Sequence, residues 1–220
     1  MFVGHFAVAF GAKRAVPAVS LGALFIACQL ADLVWPLLVI AGIERVSVQP
    51  GLTVVTPLDF IYYPFSHSLL AAAAWAAAFG AAYAGLRRAP ARTGAVLALV
   101  VVSHWVLDAL THRPDMPLTM SADSARVGLG LWNSLPGTMA VELLLFAAGL
   151  RLYTKTMKPV DRTGRLALWC LVAFLLIIYA ANLFGPPPPS GTTAAWSALA
   201  MWLLVAWGYW VDRHRAVVGA

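Results

Sequence analysis

The chain has 220 residues, of which 61% are hydrophobic and 11% are charged, and its mean hydropathy is +0.81. This composition is typical of a polytopic membrane protein, and no stretch is polar enough to form a separate soluble domain. The formal net charge of +6 favours contact with an anionic membrane surface and does not favour nucleic-acid binding. The two cysteines both lie in apolar stretches and have no zinc-finger spacing.

The apolar runs predict an all-α fold, a bundle of about six transmembrane helices that follows a short N-terminal helical segment. Residues 1–220 form a single integral membrane domain in this prediction, with the metal-site core in 1–145 and the C-terminal transmembrane helices in 146–220. The segment 1–11 is too short to span a membrane and lacks the basic start of a cleaved signal, so we expect it to be retained. The predicted spans are 15–43, 61–86, 93–110, 127–153, 166–184 and 194–211.

Basic residues are divided unequally between the breaks that separate these spans. One alternate set of breaks carries only Arg45, Arg113 and Arg126. The positive-inside rule therefore predicts that the other set and the C-terminus face the cytoplasm. That set contains Lys13, Arg14, Arg87, Arg88, Arg92, Arg151, Lys155, Lys158, Arg162, Arg165, Arg213 and Arg215.

The third predicted span contains three potential metal ligands at successive i, i+4 positions, His104, Asp108 and His112. Each step rotates the side chain by about 40°, so all three are expected on one face of the helix. Pro114 follows directly and blocks continuation of the helix, whose C-terminal carbonyls favour a cation. His67, early in the second predicted span, is expected in the same outer half of the membrane.

Three more ionisable residues lie in apolar surroundings. They are His5 in the N-terminal segment, Asp32 in the first span and Glu142 in the fourth span. Glu142 reaches the others only through a helix break near Pro136 or a deep cavity. Because unpaired ionisable groups are costly in lipid, we expect this set to share a metal or a proton network. Imidazole and carboxylate ligands predict a divalent metal, with zinc favoured and manganese or iron as alternatives.

The outer loops supply candidates for substrate binding. An arginine beside a metal either clamps a phosphate bidentately or anchors the protein at lipid headgroups, and the sequence leaves both interpretations open. A tryptophan here either lines a pocket or belongs to the membrane interface, and an asparagine beside it is the stronger pocket candidate. A carboxylate in an outer loop is either solvated or part of the rim of the proposed metal site. The candidates are Asp59, Arg113, Arg126, Trp132 and Asn133.

The order of these motifs resembles the membrane-bound metal-dependent hydrolases of bacterial inner membranes, over roughly residues 1–145. The motifs that carry the resemblance are Gly4-His5, Ala31-Asp32, Ser66-His67-Ser68 and Ser103-His104-Trp105-Val106-Leu107-Asp108. The resemblance implies an inner-membrane location. It also implies that the metal ligands are His5, Asp32, His67, His104 and Asp108. The family's pattern has a Pro-Asp-x-Asp-like acidic pair, of which only Asp32 is present here. One ligand is therefore either missing or replaced, and Glu142 and His112 are the candidates for a replacement.

The order of ligands alone is also similar to zinc-dependent phospholipases C and single-strand nucleases. Together the two resemblances imply metal-assisted hydrolysis, in which a metal-activated water attacks a phosphoester and Asp32 or Glu142 accepts the proton. A site in the outer half of a membrane bundle is accessible to amphiphiles. We therefore expect a membrane lipid or lipid-linked substrate that enters from the non-cytoplasmic side.

Two other functions use the same residues. A cation or proton transporter requires ionisable groups that continue to the cytoplasmic end, and only Glu142 indicates such a path. A heme protein would use His67 and His104 as axial ligands, but the carboxylates beside them disfavour this interpretation.

Overall fold

The computed structural model describes residues 1–219, and six helical spans within this range are long and apolar enough to cross a membrane. The prediction of an all-α polytopic bundle is confirmed. In chain order the elements are α1 (Val3–Ala12), α2 (Leu21–Ile40), β1 (Arg45–Val48), β2 (Leu58–Tyr62), α3 (Pro64–His67), α4 (Leu69–Leu86), α5 (Ala91–Thr111), β3 (Met116–Pro117), β4 (Arg126–Val127), α6 (Leu135–Thr156), β5 (Met157–Pro159), α7 (Arg162–Phe184), α8 (Gly191–Ala198), α9 (Met201–Arg213) and β6 (Arg215–Val217).

The spans are α2, α4, α5, α6, α7 and the pair α8 and α9. Their alternating directions give the bundle two distinct ends. The loop end consists of segments 41–68, 112–134 and 185–190, and it carries the antiparallel hairpins β1–β2 and β3–β4. The basic end consists of segments 13–20, 87–90, 157–161 and 214–219, and it carries the antiparallel pair β5–β6. None of these short strands was predicted.

Helix α1 lies inside the bundle, in contact with α2, α5 and α6. Its 10 residues span about 15 Å, half the thickness of a bilayer core. Gly149 of α6 permits the close packing, because a Cβ atom there would lie 2.2 Å from the carbonyl oxygen of Ala7. The N-terminal end of α1 therefore lies in the middle of the bundle, and its C-terminal end lies at the basic end.

Two spans begin later than predicted because a serine caps each helix. In α2, Ser20 Oγ accepts a hydrogen bond from the Ala23 N–H at 3.2 Å. In α4, Ser68 has ψ 153° and its Oγ accepts from the Ala71 N–H at 3.0 Å. The prediction that His67 lies within the second span is therefore wrong. Extended backbone at Ser68 ends α3 at His67 and separates it from α4.

The fourth span also begins later than predicted, at Leu135. Pro136 lies in its first turn, where proline is tolerated, so it starts the helix and does not break it. Because of this later start, Glu142 lies only about 10 Å along the helix from the loop end. The last span is interrupted between α8 and α9, at residues 199 and 200.

Candidate metal centre

Five predicted ligands from four elements converge near the middle of the bundle. They form two overlapping groups, His5 with His104 and Asp108, and Asp32 with His67 and His104. Within each group the potential ligand atoms lie within 4.8 Å of one another. All five side chains except Asp32 are buried. We call these five residues the His/Asp cluster.

Asp108 lies at the centre of the His/Asp cluster. Its Oδ1 atom is 3.0 Å from His5 Nε2, and its Oδ2 atom is 3.1 Å from His104 Nε2 and 3.9 Å from His67 Nε2. The nitrogen of Met1 also lies 2.6 Å from Oδ1. Both oxygens of one carboxylate therefore face imidazole nitrogens, so Asp108 could hold a metal together with these histidines.

Asp32 is the carboxylate of the cluster that solvent can reach. Its Oδ1 atom lies 3.3 Å from His67 Nε2 and 3.8 Å from His104 Nε2. The Asp32 side chain is 26% exposed, whereas that of Asp108 is 3% exposed. The two acids therefore differ in their surroundings, because only Asp32 has a substantial contact with solvent.

The tautomer of His104 is fixed by the backbone of α2. His104 Nδ1 lies 2.7 Å from the carbonyl oxygen of Cys28, and because a carbonyl only accepts, Nδ1 carries the proton. The lone pair of Nε2 then faces Asp32 and Asp108, two further electron-rich groups. His104 Nε2 is buried and has no hydrogen-bond partner among residues 1–219. A cation between these three groups would satisfy all of them.

The tautomer of His67 is fixed through two residues that the sequence pattern does not assign to the site, Glu44 and Ser66. Ser66 Oγ donates to Glu44 Oε2 at 2.6 Å, so it accepts a hydrogen bond from His67 Nδ1 at 2.7 Å. His67 Nε2 is then free to act as a ligand. Glu44 also accepts from the N–H groups of Phe65 and Ser66, at 2.8 and 2.9 Å.

The chemistry of the His/Asp cluster fits a divalent metal. It combines three imidazoles with two carboxylates, a set suited to zinc and also to manganese or iron. Both cysteines are outside this set, because Cys28 contributes only its carbonyl oxygen and Cys170 is exposed. The Met1 ammonium already pairs with Asp108, and a metal would supply the further positive charge that two carboxylates in a membrane bundle require.

The Glu142 carboxylate caps the N-terminal end of α1. Its Oε2 atom accepts from the N–H groups of Phe2 and Gly4, at 2.8 and 3.1 Å. These bonds satisfy first-turn donors that have no partner within a helix. Glu142 also lines the cavity beside the cluster, but it is outside both ligand groups described above. It therefore helps to position α1, and with it His5.

The expectation that His112 shares a helix face with His104 and Asp108 is wrong. Helix α5 ends at Thr111, and His112 has extended backbone with ψ 149°. Its Nδ1 atom lies 2.9 Å from Asp115 Oδ1, and its ring contacts that of Trp132 at a centroid distance of 4.2 Å. His112 therefore belongs to a second polar group at the loop end.

Arg113 already has anionic partners in this second group. Its Nε atom donates to Asp115 Oδ2 at 3.0 Å, and its Nη2 atom donates to Asp59. Burial raises the pKa of Asp115, but hydrogen bonds from His112, Arg113 and Tyr63 outweigh this effect and hold the pKa below its usual range. Asp59 and Arg113 thus belong to this second group, outside the cavity lining, and carboxylates already occupy the guanidinium.

The other three candidates for substrate binding lie in different places. Trp132 lines the cavity beside the cluster. Arg126 is exposed in β4, and Asn133 is exposed outside the cavity lining. Of these three, the geometry therefore associates only Trp132 with the cavity.

A cavity of about 900 Å³ opens directly beside the His/Asp cluster. Asp32, His67 and Asp108 belong to its lining, and loop 50–58 contributes to its wall at the loop end. A small molecule that enters from the loop end therefore reaches the Asp32 carboxylate.

Comparison with known proteins adds no relative to this description. No protein-family model, no curated protein and no solved structure matches the chain.

Proposed function

We propose that this protein is a membrane-embedded, metal-dependent hydrolase that cleaves a phosphoester. The observation that carries the proposal is the convergence of three imidazoles and two carboxylates beside a cavity. Two of the imidazoles, His67 and His104, have their Nδ1 atoms engaged and their Nε2 atoms directed at the carboxylates. Nonspecific packing of histidines in a membrane bundle would not require this common direction.

The metal would be held by the five residues of the His/Asp cluster. Such a metal supplies a Lewis acid that polarises a phosphoryl oxygen and lowers the pKa of water toward about 7. The buried Asp108 contacts the rings of both His5 and His104, and these three residues would hold the metal together. Asp32 is our candidate for the proton acceptor, because it lines the cavity and is partly exposed. The Glu142 carboxylate is the weaker candidate, because its Oε2 atom already accepts two hydrogen bonds.

The same proposal includes an orientation and a location. Twelve of the fifteen Lys and Arg residues belong to the basic end or the helix turns next to it. The positive-inside rule then directs this end to the cytoplasm and the cavity to the opposite face. The motif resemblance supports a bacterial inner membrane as the location.

Metal content and phosphoesterase activity test the proposal together. Detergent-purified wild type is compared with the His104→Ala/Asp108→Ala double variant and with His67→Asn, all prepared without added metal and analysed by elemental mass spectrometry. His214→Ala is the matched control, because His214 pairs with Asp161 at 2.7 Å, away from the His/Asp cluster. We expect near-stoichiometric zinc, manganese or iron in wild type and the control, with loss from the cluster variants.

Hydrolysis of bis(p-nitrophenyl) phosphate, a soluble phosphodiester, is then measured on the same four preparations. We expect activity in wild type and His214→Ala and its loss in the cluster variants. If wild type contains no metal even after reconstitution, or if the cluster variants retain wild-type metal and activity, the proposal is wrong. Thermal unfolding of each preparation separates loss of metal from loss of the fold.

A further inference from the structure

The cavity beside the His/Asp cluster has an apolar part that hydrolysis of a small phosphoester would not need. Its volume of about 900 Å³ lies toward the upper end of the usual range for ligand pockets, roughly 300–1,000 Å³. Away from Asp32, His67 and Asp108, much of the lining comes from α7, α8 and α9. The size and lining of the cavity therefore suit a ligand with a polar head and an extended apolar part.

Two large apolar residues of the cavity lining are well exposed. Phe174 of α7 and Leu203 of α9 both line the cavity, and they are 43% and 70% exposed. Both residues belong to spans that are long and apolar enough to cross a membrane. The two residues therefore offer an apolar surface to a hydrocarbon chain at the depth of the bilayer.

Two buried hydrogen-bond donors in the cavity lining lack partners. Tyr179 and Trp35 are only 4% and 6% exposed, and Tyr179 Oη and Trp35 Nε1 have no hydrogen-bond partner among residues 1–219. By contrast, Trp207 Nε1 in the same lining donates to the Ala167 carbonyl oxygen at 3.1 Å. Unpaired buried donors are costly, so an accepting ligand oxygen would stabilise both side chains.

We propose that the cavity binds an amphiphile that has an anionic phosphoester headgroup and a hydrocarbon chain. The headgroup lies beside the His/Asp cluster and accepts hydrogen bonds from Tyr179 and Trp35, while the chain lies against Phe174 and Leu203. An indole N–H only donates, so it selects an accepting group such as a phosphoryl oxygen. This inference rests on the proposed function for the bond that is cleaved, but binding itself does not require cleavage.

Binding of dodecylphosphonate, which cannot be hydrolysed, tests the inference. The zinc-supplemented protein is titrated in detergent and bound ligand is counted by native mass spectrometry, with methylphosphonate and dodecanol as probes of the head and the chain alone. We expect dodecylphosphonate to bind at least about tenfold more tightly than either, because head and chain are held by separate parts of one cavity.

Variants of the two donors identify the headgroup site. We expect Tyr179→Phe and Trp35→Phe each to weaken dodecylphosphonate binding by about tenfold, the effect of losing one hydrogen bond to a charged group. The matched controls are Tyr209→Phe and Trp169→Phe, because both side chains are partly exposed and lie outside the cavity lining. Metal content should be unchanged in all four variants, and only Trp35→Phe should unfold at a lower temperature, because it leaves a cavity beside Phe60.

The possible outcomes separate this inference from the proposed function. If dodecanol binds as tightly as dodecylphosphonate, or if both donor variants bind like wild type, the assignment of the headgroup site is wrong. Hydrolysis of bis(p-nitrophenyl) phosphate without dodecylphosphonate binding would overturn the amphiphile site and leave the hydrolase proposal intact. Selective dodecylphosphonate binding by a protein that hydrolyses no phosphoester would support the binding site and contradict the hydrolase.

Discussion

At the scale of single residues, the cluster depends on hydrogen bonds that the sequence shows only in part. The ligand residues themselves could be predicted, because histidines and acids in apolar segments are rare and costly. Glu44 and Ser66 were not predicted as partners of His67. They lie 22 positions apart in the chain, so only the folded loop end brings them together. An acid directly after an apolar run was the one available signal for Glu44.

The hydrogen bond between Ser66 and His67 leads to a first prediction. Ser66→Ala removes the acceptor of His67 Nδ1, so the ring loses its fixed tautomer and orientation. We expect metal affinity to fall about 10–100-fold, as is usual for loss of a partner that orients a metal-binding histidine. Competition with a chelator of known affinity measures the change.

Ser68→Ala is the matched control for this prediction. Ser68 caps α4 through Ala71 N–H and makes no hydrogen bond to His67, so the variant should lose about 1 kcal/mol of stability and keep its metal affinity. Equal metal affinity in Ser66→Ala and wild type would show that the serine does not position His67.

At the scale of elements, hydropathy located all six spans but not the surroundings of α1 and α3. The short apolar segment at the start of the chain was predicted as helical, and its position in the centre of the bundle follows from its packing against Gly149. The separation of α3 from α4 depends on the capping geometry of Ser68. Both features depend on local packing or backbone conformation, which average hydropathy does not report.

The contact between α1 and α6 leads to a second prediction. In Gly149→Ala the new methyl group would lie 2.2 Å from the backbone of Ala7, so α1 must move away from α6. We expect a loss of about 1–3 kcal/mol in stability, as for other overpacked positions. Because α1 carries His5, metal binding should also weaken. Thermal unfolding and metal content measure the two effects.

Gly85→Ala provides the comparison for the Gly149 variant. Gly85 is also helical, and a Cβ atom there would meet nothing within 4 Å. This variant should be as stable as wild type or slightly more so, with unchanged metal content, because alanine is the better helix former. A Gly149→Ala protein that retained full stability and metal would contradict the close packing of α1.

At the scale of the whole molecule, the distribution of charge predicts how the protein lies in the membrane. In a cysteine-free background, with Cys28 and Cys170 replaced by alanine, single cysteines are introduced as Val54→Cys and Val160→Cys. The two valines are 62% and 61% exposed at opposite ends of the bundle. We expect a membrane-impermeant thiol reagent added to intact cells to label only the first, because the positive-inside rule directs the basic end to the cytoplasm. Labelling of position 160 from outside would reverse the proposed orientation.

The interior between the His/Asp cluster and the basic end is closed by aromatic and paired side chains. Phe10 packs edge-on against Phe25 and Tyr153, with ring centroids 5.5 and 5.3 Å apart. Beyond this layer, Asp212 accepts from Lys13 Nζ and from the Tyr153 hydroxyl. Burial lowers the pKa of Lys13, and the Asp212 carboxylate opposes this effect. Lys13 and Asp212 thus neutralise each other in an ion pair, and this arrangement does not favour a continuous path for ions.

This closed interior leads to a last prediction, which separates a hydrolase from a transporter. A transporter needs polar groups on both sides of its binding site, and the Phe10 layer interrupts them here. Proteoliposomes that contain the purified protein should therefore show no more zinc or proton flux than empty liposomes, measured with zinc- and pH-sensitive dyes under an imposed gradient. The His104→Ala/Asp108→Ala variant should behave in the same way. Flux in wild type that disappears in this variant would mean that the His/Asp cluster takes part in transport, because the two proteins differ only in these two side chains.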